Sequence, residues 1–90
     1  MPNSHLNIKI FGKVQGVFFR ETAKVKANTL EITGFIKNEP DGSVYIEAEG
    51  EDRAIDEFVK WCKIGPQTAK VEGVETELAD YKNFREFLIL

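Results

Sequence analysis

The segment from Gly12 to Arg20 combines glycines with an arginine, residue types from which an anion site can be built. Gly12 and Gly16 allow backbone conformations that let the chain curl around a ligand and point its N–H groups inward. Arg20 lies where a helix is predicted to begin, and its planar guanidinium matches phosphate or carboxylate oxygens two at a time. The free N–H groups of a helix N-terminus favour the same ligands. The segment therefore predicts a phosphate-binding loop, although a first-turn arginine is also commonly solvated or paired with a neighbour such as Glu21.

The elements on either side of this loop are a strand and a helix. Residues from Leu6 to Ile10 alternate apolar and polar, which predicts a half-buried strand that Gly12 ends. Apolar residues then recur at helical spacing from Phe19 to Leu30, which predicts the first helix. No Gly-Lys-Ser/Thr follows the loop and no Gly-x-Gly-x-x-Gly occurs, so the sequence does not favour a nucleotide cofactor.

The rest of the chain predicts a strand hairpin, a second helix and further strands. Residues 34–38 and 44–49 read as two strands joined by the turn at residues 39–42, with one face of the hairpin exposed to water. An amphipathic pattern over residues 55–62 predicts the second helix. It ends before Gly65 and Pro66, a pair of residues typical of the position just after a helix. A fourth strand around Ala69 to Val74 and a short apolar segment from Phe84 to Leu90 complete the chain. The order β-α-β-β-α-β predicts an α+β, ferredoxin-like sandwich, with an antiparallel sheet and two helices on one face.

Composition limits the partners and the compartment. The 90 residues, 42% hydrophobic and 30% charged, predict one soluble domain spanning residues 1–90. A net charge of −3 argues against nucleic acid, and the longest apolar run is far shorter than the ~20 residues that span a bilayer. Cys62 is the single cysteine and His5 the single histidine, too few ligands for a zinc site. We expect a cytoplasmic protein without a zinc site, cofactor, nucleic-acid partner or membrane partner. We expect a monomer, although exposed edge strands near the hairpin or the carboxyl terminus leave a dimer open.

Other polar and aromatic residues favour ordinary structural roles. Cys62 is predicted to fill the core and His5 to be an exposed histidine at the start of the first strand. The acids are interpreted as a solvated edge rather than a cation site: Glu47, Glu49, Glu51 and Asp52. Four aromatic residues would allow nucleic-acid bases to stack on a sheet: Phe18, Phe35, Tyr45 and Trp61. The net negative charge and the lack of an RNA-binding sequence pattern argue against this function.

Two motifs resemble the acylphosphatase family. The first motif comprises Ile10, Gly12, Val14, Gln15, Gly16, Val17, Phe19 and Arg20. The second comprises Gly34, Phe35, Ile36, Lys37 and Asn38, followed by Asp41, Gly42 and Val44. A weaker resemblance continues from Trp61 to Val71, so that the similarity covers nearly the whole chain. Two motifs in the right order make this resemblance far more specific than the loop alone.

The resemblance implies a metal-free hydrolysis of acyl phosphates to a carboxylate and inorganic phosphate, in the same ferredoxin-like fold. Inorganic phosphate would be both product and competitive inhibitor. Arg20 would clamp the phosphoryl group and Asn38 would hold the attacking water. Backbone N–H groups of the loop would bind the phosphoryl oxygens, from these residues: Gln15, Gly16, Val17, Phe18, Phe19 and Arg20.

The sequence departs from the family pattern at two positions and leaves two other functions open. Glu31 stands where the family usually has a glycine after the first helix, where left-handed backbone in a non-glycine residue costs about 1 kcal/mol. Ile36 replaces a more typical valine, which a strand tolerates. The alternatives to an enzyme are a phosphate-recognising module, such as a detached relative of the acylphosphatase-like domain of carbamoyl-transfer maturation proteins, and an interaction domain of the same fold. Arg20 and Asn38 together favour the enzyme, because a mere binder has no need of a water-positioning amide.

Overall fold

The computed structural model describes residues 2–90 and contains one five-stranded sheet with two helices. The strands are β1 (Asn3–Lys13), β2 (Thr33–Asn38), β3 (Val44–Glu51), β4 (Lys70–Ala79) and β5 (Phe87–Ile89), and the helices are α1 (Phe19–Thr29) and α2 (Asp52–Cys62). The order across the sheet is β4-β1-β3-β2-β5. The ferredoxin-like prediction is confirmed, but the sheet is mixed rather than antiparallel, because β5 pairs parallel to β2. The terminal segment predicted as a short edge strand is this fifth strand.

Both helices pack on one face of the sheet. The residues predicted to line α1 lie on its buried face at Phe19, Ala23 and Ala27, and Leu30 packs beside them. Helix α2 buries Ile55 and Phe58, together with the thiol side chain predicted to fill the core, Cys62. Burial raises the pKa of the Cys62 thiol, as expected for a side chain that serves packing. Neither helix in residues 2–90 has the length and apolar composition required to cross a membrane.

A bulge at Gly12 turns β1 toward the loop. The sequence predicts that Gly12 ends the strand, but pairing with β4 continues to Lys13 after a register shift between Phe11 and Gly12. Gly12 has φ 124°, and a Cβ there would lie 2.2 Å from the carbonyl oxygen of Lys70. Only glycine fits this approach of two backbones, so the bulge fixes the direction in which the chain leaves the sheet.

The opposite face of the sheet carries a buried polar cluster that the sequence analysis placed in water. His5 is 1% exposed and Glu49 is fully buried, while Glu47 is 7% exposed, so the predictions of an exposed histidine and a solvated acidic face are wrong at these positions. Residues 80–86, which connect β4 to β5, cover the cluster, and Phe84 packs its ring 5.7 Å from that of His5. This connection has no periodic pattern, which is why its cover was not predicted.

The cluster is a hydrogen-bonded set of opposite charges. His5 Nδ1 donates to Glu49 Oε2 at 2.7 Å, and His5 Nε2 lies 3.0 Å from Glu47 Oε1. The backbone N–H groups of Lys82, Asn83 and Phe84 also donate to the Glu49 carboxylate. His5 Nε2 also lies 2.9 Å from the amide oxygen of Asn7, so the ring is enclosed by oxygen atoms of three side chains: Asn7, Glu47 and Glu49.

Acid is expected to destabilise the fold through this cluster. Burial raises the pKa of Glu49, but the hydrogen bonds from His5 and from the 82–84 backbone outweigh it and hold the pKa below its ordinary value of 4.5. Glu47, beside Lys82, is shifted in the same direction. A lowered pKa stabilises the fold above pH 4.5, and this contribution is lost as pH falls through the folded-state pKa. We expect Tm, followed by circular dichroism, to fall below pH 4.5; a Tm independent of acid there would contradict the pairing.

Candidate functional site

The loop between β1 and α1 presents a run of backbone N–H groups that have no protein acceptor. Within residues 2–90, none of the N–H groups of residues 15–20 donates a hydrogen bond to another protein group. The first helical bond of α1 runs from Thr22 N–H to the carbonyl of Phe18 at 3.1 Å, and no side chain caps the helix. Unpaired amides of this kind are satisfied by water or by a ligand, and an oxyanion suits several at once.

Two left-handed residues shape this loop. Gly16 has φ 71° and Phe18 has φ 64°, with Val17 between them. Alternation of left-handed and ordinary backbone turns successive N–H groups to one side and forms a concave anion site. Thr68 holds the loop from the far side by donating its hydroxyl to the carbonyl of Val17. The predicted phosphate-binding residues therefore lie in one continuous curved segment.

Arg20 adds a cation that forms no ion pair within residues 2–90. It is half-buried in the first turn of α1, and its guanidinium forms no ion pair with any carboxylate of residues 2–90, Glu21 included. A cation near a helix N-terminus costs about 0.3–1 kcal/mol, because it faces the positive end of the dipole. A bound anion would turn this repulsion into attraction, so the placement favours an anion ligand.

Asn38 lies at the same end of the sheet as the loop. In the strand register Asn38 is paired with Val44 of β3, and Val44 is paired with Ile10 of β1, just before the bulge. The Asn38 side-chain oxygen Oδ1 is buried and has no hydrogen-bond partner in the described part of the chain. Because an unpaired buried acceptor is costly, this atom is suited to receive a hydrogen bond from water or a ligand.

The side chain of Gln15 joins the loop to the turn that follows Asn38. Its Nε2 donates to the carbonyl of Glu39 at 2.8 Å and to that of Ser43 at 2.9 Å. The sequence predicts a role for Gln15 only through its backbone N–H, because the side-chain contact joins two segments that are distant along the chain. It brings the two sequence motifs, far apart along the chain, to one place.

The turn after Asn38 is itself held in place. Asp41 accepts hydrogen bonds from the backbone and hydroxyl of Ser43, and its carboxylate pairs with Lys9 of β1 at 3.1 Å. The hydrogen bonds from Ser43, helped by Lys9, lower the pKa of Asp41 to about 2. The turn is therefore tied both to β1 and, through Gln15, to the loop.

A cavity of about 160 Å³ lies in the loop, and its walls come from both the loop and the first turn of α1. The lining residues are Val14, Gly16, Phe18, Phe19, Arg20 and Glu21. Residues 2–90 contain no group of three or more His, Cys, Asp or Glu side chains that could hold a metal ion. The donors around the cavity are amides and a guanidinium, which bind anions.

Comparison with known proteins decides the family. The sequence profile of the family described as acylphosphatase matches residues 6–89. The chain belongs to the acylphosphatase family. The acylphosphatase of Methylococcus capsulatus is 40% identical over 86 residues, which cover 94% of each chain. The family resemblance stated from the two motifs is thereby confirmed, and the chain falls among hydrolases.

Solved structures agree with the acylphosphatase fold. An acylphosphatase from Coxiella burnetii superposes with a TM-score of 0.94 at 35% identity, covering 98% of this chain and 93% of its own. Full-length HypF, solved in a phosphate- and nucleotide-bound form, superposes with a TM-score of 0.88 at 27% identity. That match covers 99% of this chain but only 12% of HypF. The same fold therefore occurs within a much larger protein, which keeps the alternative of a recognition module relevant.

Proposed function

We propose that this protein hydrolyses acyl phosphates to a carboxylate and inorganic phosphate, without a metal ion. The observation that carries the proposal is the run of unpaired backbone N–H groups over residues 15–20, ending in the unpaired guanidinium of Arg20. Membership of the acylphosphatase family supports the choice of substrate. We further propose that the chain acts as a monomeric cytoplasmic domain spanning residues 1–90 and that inorganic phosphate inhibits it competitively.

In the proposed reaction the phosphoryl oxygens bind the loop amides, and Arg20 donates two hydrogen bonds to them. Water attacks phosphorus, a P–O bond to water forms, and the bond to the acyl oxygen breaks with its electron pair leaving on the carboxylate. Both protons of the water remain on the phosphate, which is released as dihydrogen phosphate. A carboxylate has a pKa near that of aspartate or glutamate, about 4, so it leaves without a general acid. Positioning and charge stabilisation account for most of phosphoryl-transfer catalysis, and amide and guanidinium donors supply both.

Asn38 distinguishes an enzyme from a phosphate-binding module. Its buried, unpartnered Oδ1 could accept a hydrogen bond from the attacking water while its NH₂ group donates to the phosphoryl group. An amide orients water without acting as a strong base, which suffices for a substrate with a good leaving group. A protein that only binds phosphate gains nothing from an unsatisfied acceptor at this end of the sheet.

The proposal is tested by phosphate release from acetyl phosphate and benzoyl phosphate, measured with and without a strong chelator. Turnover above the spontaneous rate that survives chelation would support metal-independent hydrolysis. Turnover lost on chelation would overturn the metal-free mechanism. No turnover, combined with tight binding of inorganic phosphate by calorimetry, would instead favour a recognition module.

Replacement of the proposed water-positioning residue should affect turnover more than binding. We expect Asn38→Ala to lower kcat by at least about tenfold, with a much smaller change in the inhibition constant of inorganic phosphate, because the lost interaction is with water. Asn28→Ala is the matched control, since Asn28 is exposed on α1. A variant that keeps kcat but binds phosphate weakly would reassign Asn38 to phosphate binding.

A further inference from the structure

Phe18 is an exposed aromatic residue in a strained backbone conformation. Its side chain is 68% exposed, whereas its neighbours Val17 and Phe19 are buried. Its φ of 64° is unusual for a bulky residue, and such strain persists where the surrounding structure enforces it and is concentrated at functional sites. Thr22 holds the carbonyl of Phe18 in the first turn of α1, donating to it both its backbone N–H, at 3.1 Å, and its hydroxyl, at 2.8 Å.

Phe18 and Glu21 line the same cavity as Arg20. Phe18 supplies the exposed apolar wall, and Glu21 is the one acidic residue among the lining residues. Single exposed apolar residues are normal on protein surfaces, but this one is held at the mouth of an anion site.

The covalent structure of an acyl phosphate places the acyl group at this mouth. One oxygen atom bridges the phosphorus and the acyl carbon, so a phosphoryl group held by the loop amides and Arg20 leaves the acyl group within a few bonds of the cavity walls. An uncharged acyl group can pack on an aromatic face, while a second carboxylate would be repelled by an acidic wall residue.

We infer that Phe18 and Glu21 set the acyl-group specificity: the ring receives apolar or aromatic acyl groups, and the Glu21 carboxylate disfavours acyl groups that carry a negative charge. The inference rests on the proposed function and names its substrate class, the uncharged acyl phosphates. Phe18 contributes through its side chain here, in addition to the backbone N–H proposed to bind phosphate.

The test compares kcat/KM for acetyl, benzoyl and succinyl phosphate, which carry a small, an aromatic and a negatively charged acyl group. In the wild type we expect kcat/KM to be highest for benzoyl phosphate, lower for acetyl phosphate and lowest for succinyl phosphate. Phe18→Ala should lower the benzoyl-to-acetyl ratio about fivefold. Phe18→Asn should lower it equally, because asparagine tolerates the left-handed conformation and removes only the ring. A lowered ratio in both variants excludes backbone strain as the cause.

Charge selection is tested separately by Glu21→Gln. We expect the succinyl-to-acetyl ratio to rise about threefold at low ionic strength and the gain to shrink with added salt. Glu57→Gln, at an exposed position on α2, is the control and should leave the ratio unchanged. If the wild type hydrolyses acetyl phosphate but the variants leave both the benzoyl-to-acetyl and the succinyl-to-acetyl ratio unaltered, the specificity inference alone is overturned. Failure of the wild type to hydrolyse any of the three would overturn the proposed function, and the specificity with it.

Discussion

Arg20→Ala is expected to lower kcat/KM for acetyl phosphate by about two to three orders of magnitude. Arg20 is the one guanidinium lining the loop cavity, and no carboxylate of residues 2–90 neutralises it. Removal of one preorganised donor to a developing oxyanion costs about 2.7–4 kcal/mol. Arg20 would contribute to phosphate binding as well as to transition-state charge, so the inhibition constant of inorganic phosphate should also weaken. Steady-state kinetics and phosphate calorimetry measure the two effects.

Two further variants separate the geometry of Arg20 from its charge. Arg20→Lys keeps a cation but not the planar fork of donors, so we expect it to recover only part of the lost activity. Arg53→Ala removes an exposed arginine from the first turn of α2 and should retain full activity. Wild-type turnover in Arg20→Ala would show that the loop cavity is not the catalytic site.

The periodic elements could be predicted from the sequence because each has one face in the core. Helix α1 begins at Phe19 as predicted, and α2 ends at Cys62, before Gly65 and Pro66. Glu31 has the left-handed φ of 57° that its position after α1 predicted, without the glycine that usually accommodates it. The parallel pairing of β5 could not be predicted, because three residues carry no register information and their placement depends on the non-periodic connection at residues 80–86.

The loop and its arginine were predictable for a different reason, since glycines, an arginine and a helix start lie together along the chain. The link between Asn38 and the loop was not, because the Gln15 amide contacts carbonyl groups more than twenty positions away. The left-handed conformation of Phe18 was missed as well, because an aromatic residue carries no local preference for it. Contacts between distant segments and enforced strain are properties of the assembled fold.

The buried cluster of His5, Glu47 and Glu49 shows the same limit most clearly. Glu47 and Glu49 alternate with apolar residues along β3, a pattern typical of a strand with one face in water. His5 is directly opposite Glu49 in the register of β1 and β3, and Asn7 is opposite Glu47. The strand register would have been enough to predict the pairing of His5 with Glu49, but not that residues 80–86 cover the pair. Burial here is decided by residues 80–86 and not by the strands themselves.

Glu49→Gln is therefore expected to destabilise the protein by about 3–5 kcal/mol, the cost of breaking a buried ion pair by removing one partner. The substitution preserves shape, but a glutamine has one acceptor oxygen where the carboxylate has two, and its NH₂ group would face N–H donors. His5 and the backbone N–H groups of Lys82 and Asn83 donate to Oε2, whereas the N–H of Phe84 donates to Oε1, so an NH₂ group at either position would face at least one donor. For a domain of this size the loss corresponds to a fall in Tm of at least roughly 12 °C.

The control and a double variant decide whether the ion pair is responsible. Glu51→Gln changes the same residue type at an exposed position on the same strand and should leave Tm nearly unchanged. In the Glu49→Gln background, His5→Gln should cost much less stability than it does in the wild type. His5 has already lost its carboxylate partner there, so little stabilisation remains for the second substitution to remove. Additive losses in urea unfolding would show that His5 and Glu49 act independently. Losses that are not additive would show that His5 and Glu49 stabilise the fold as a pair.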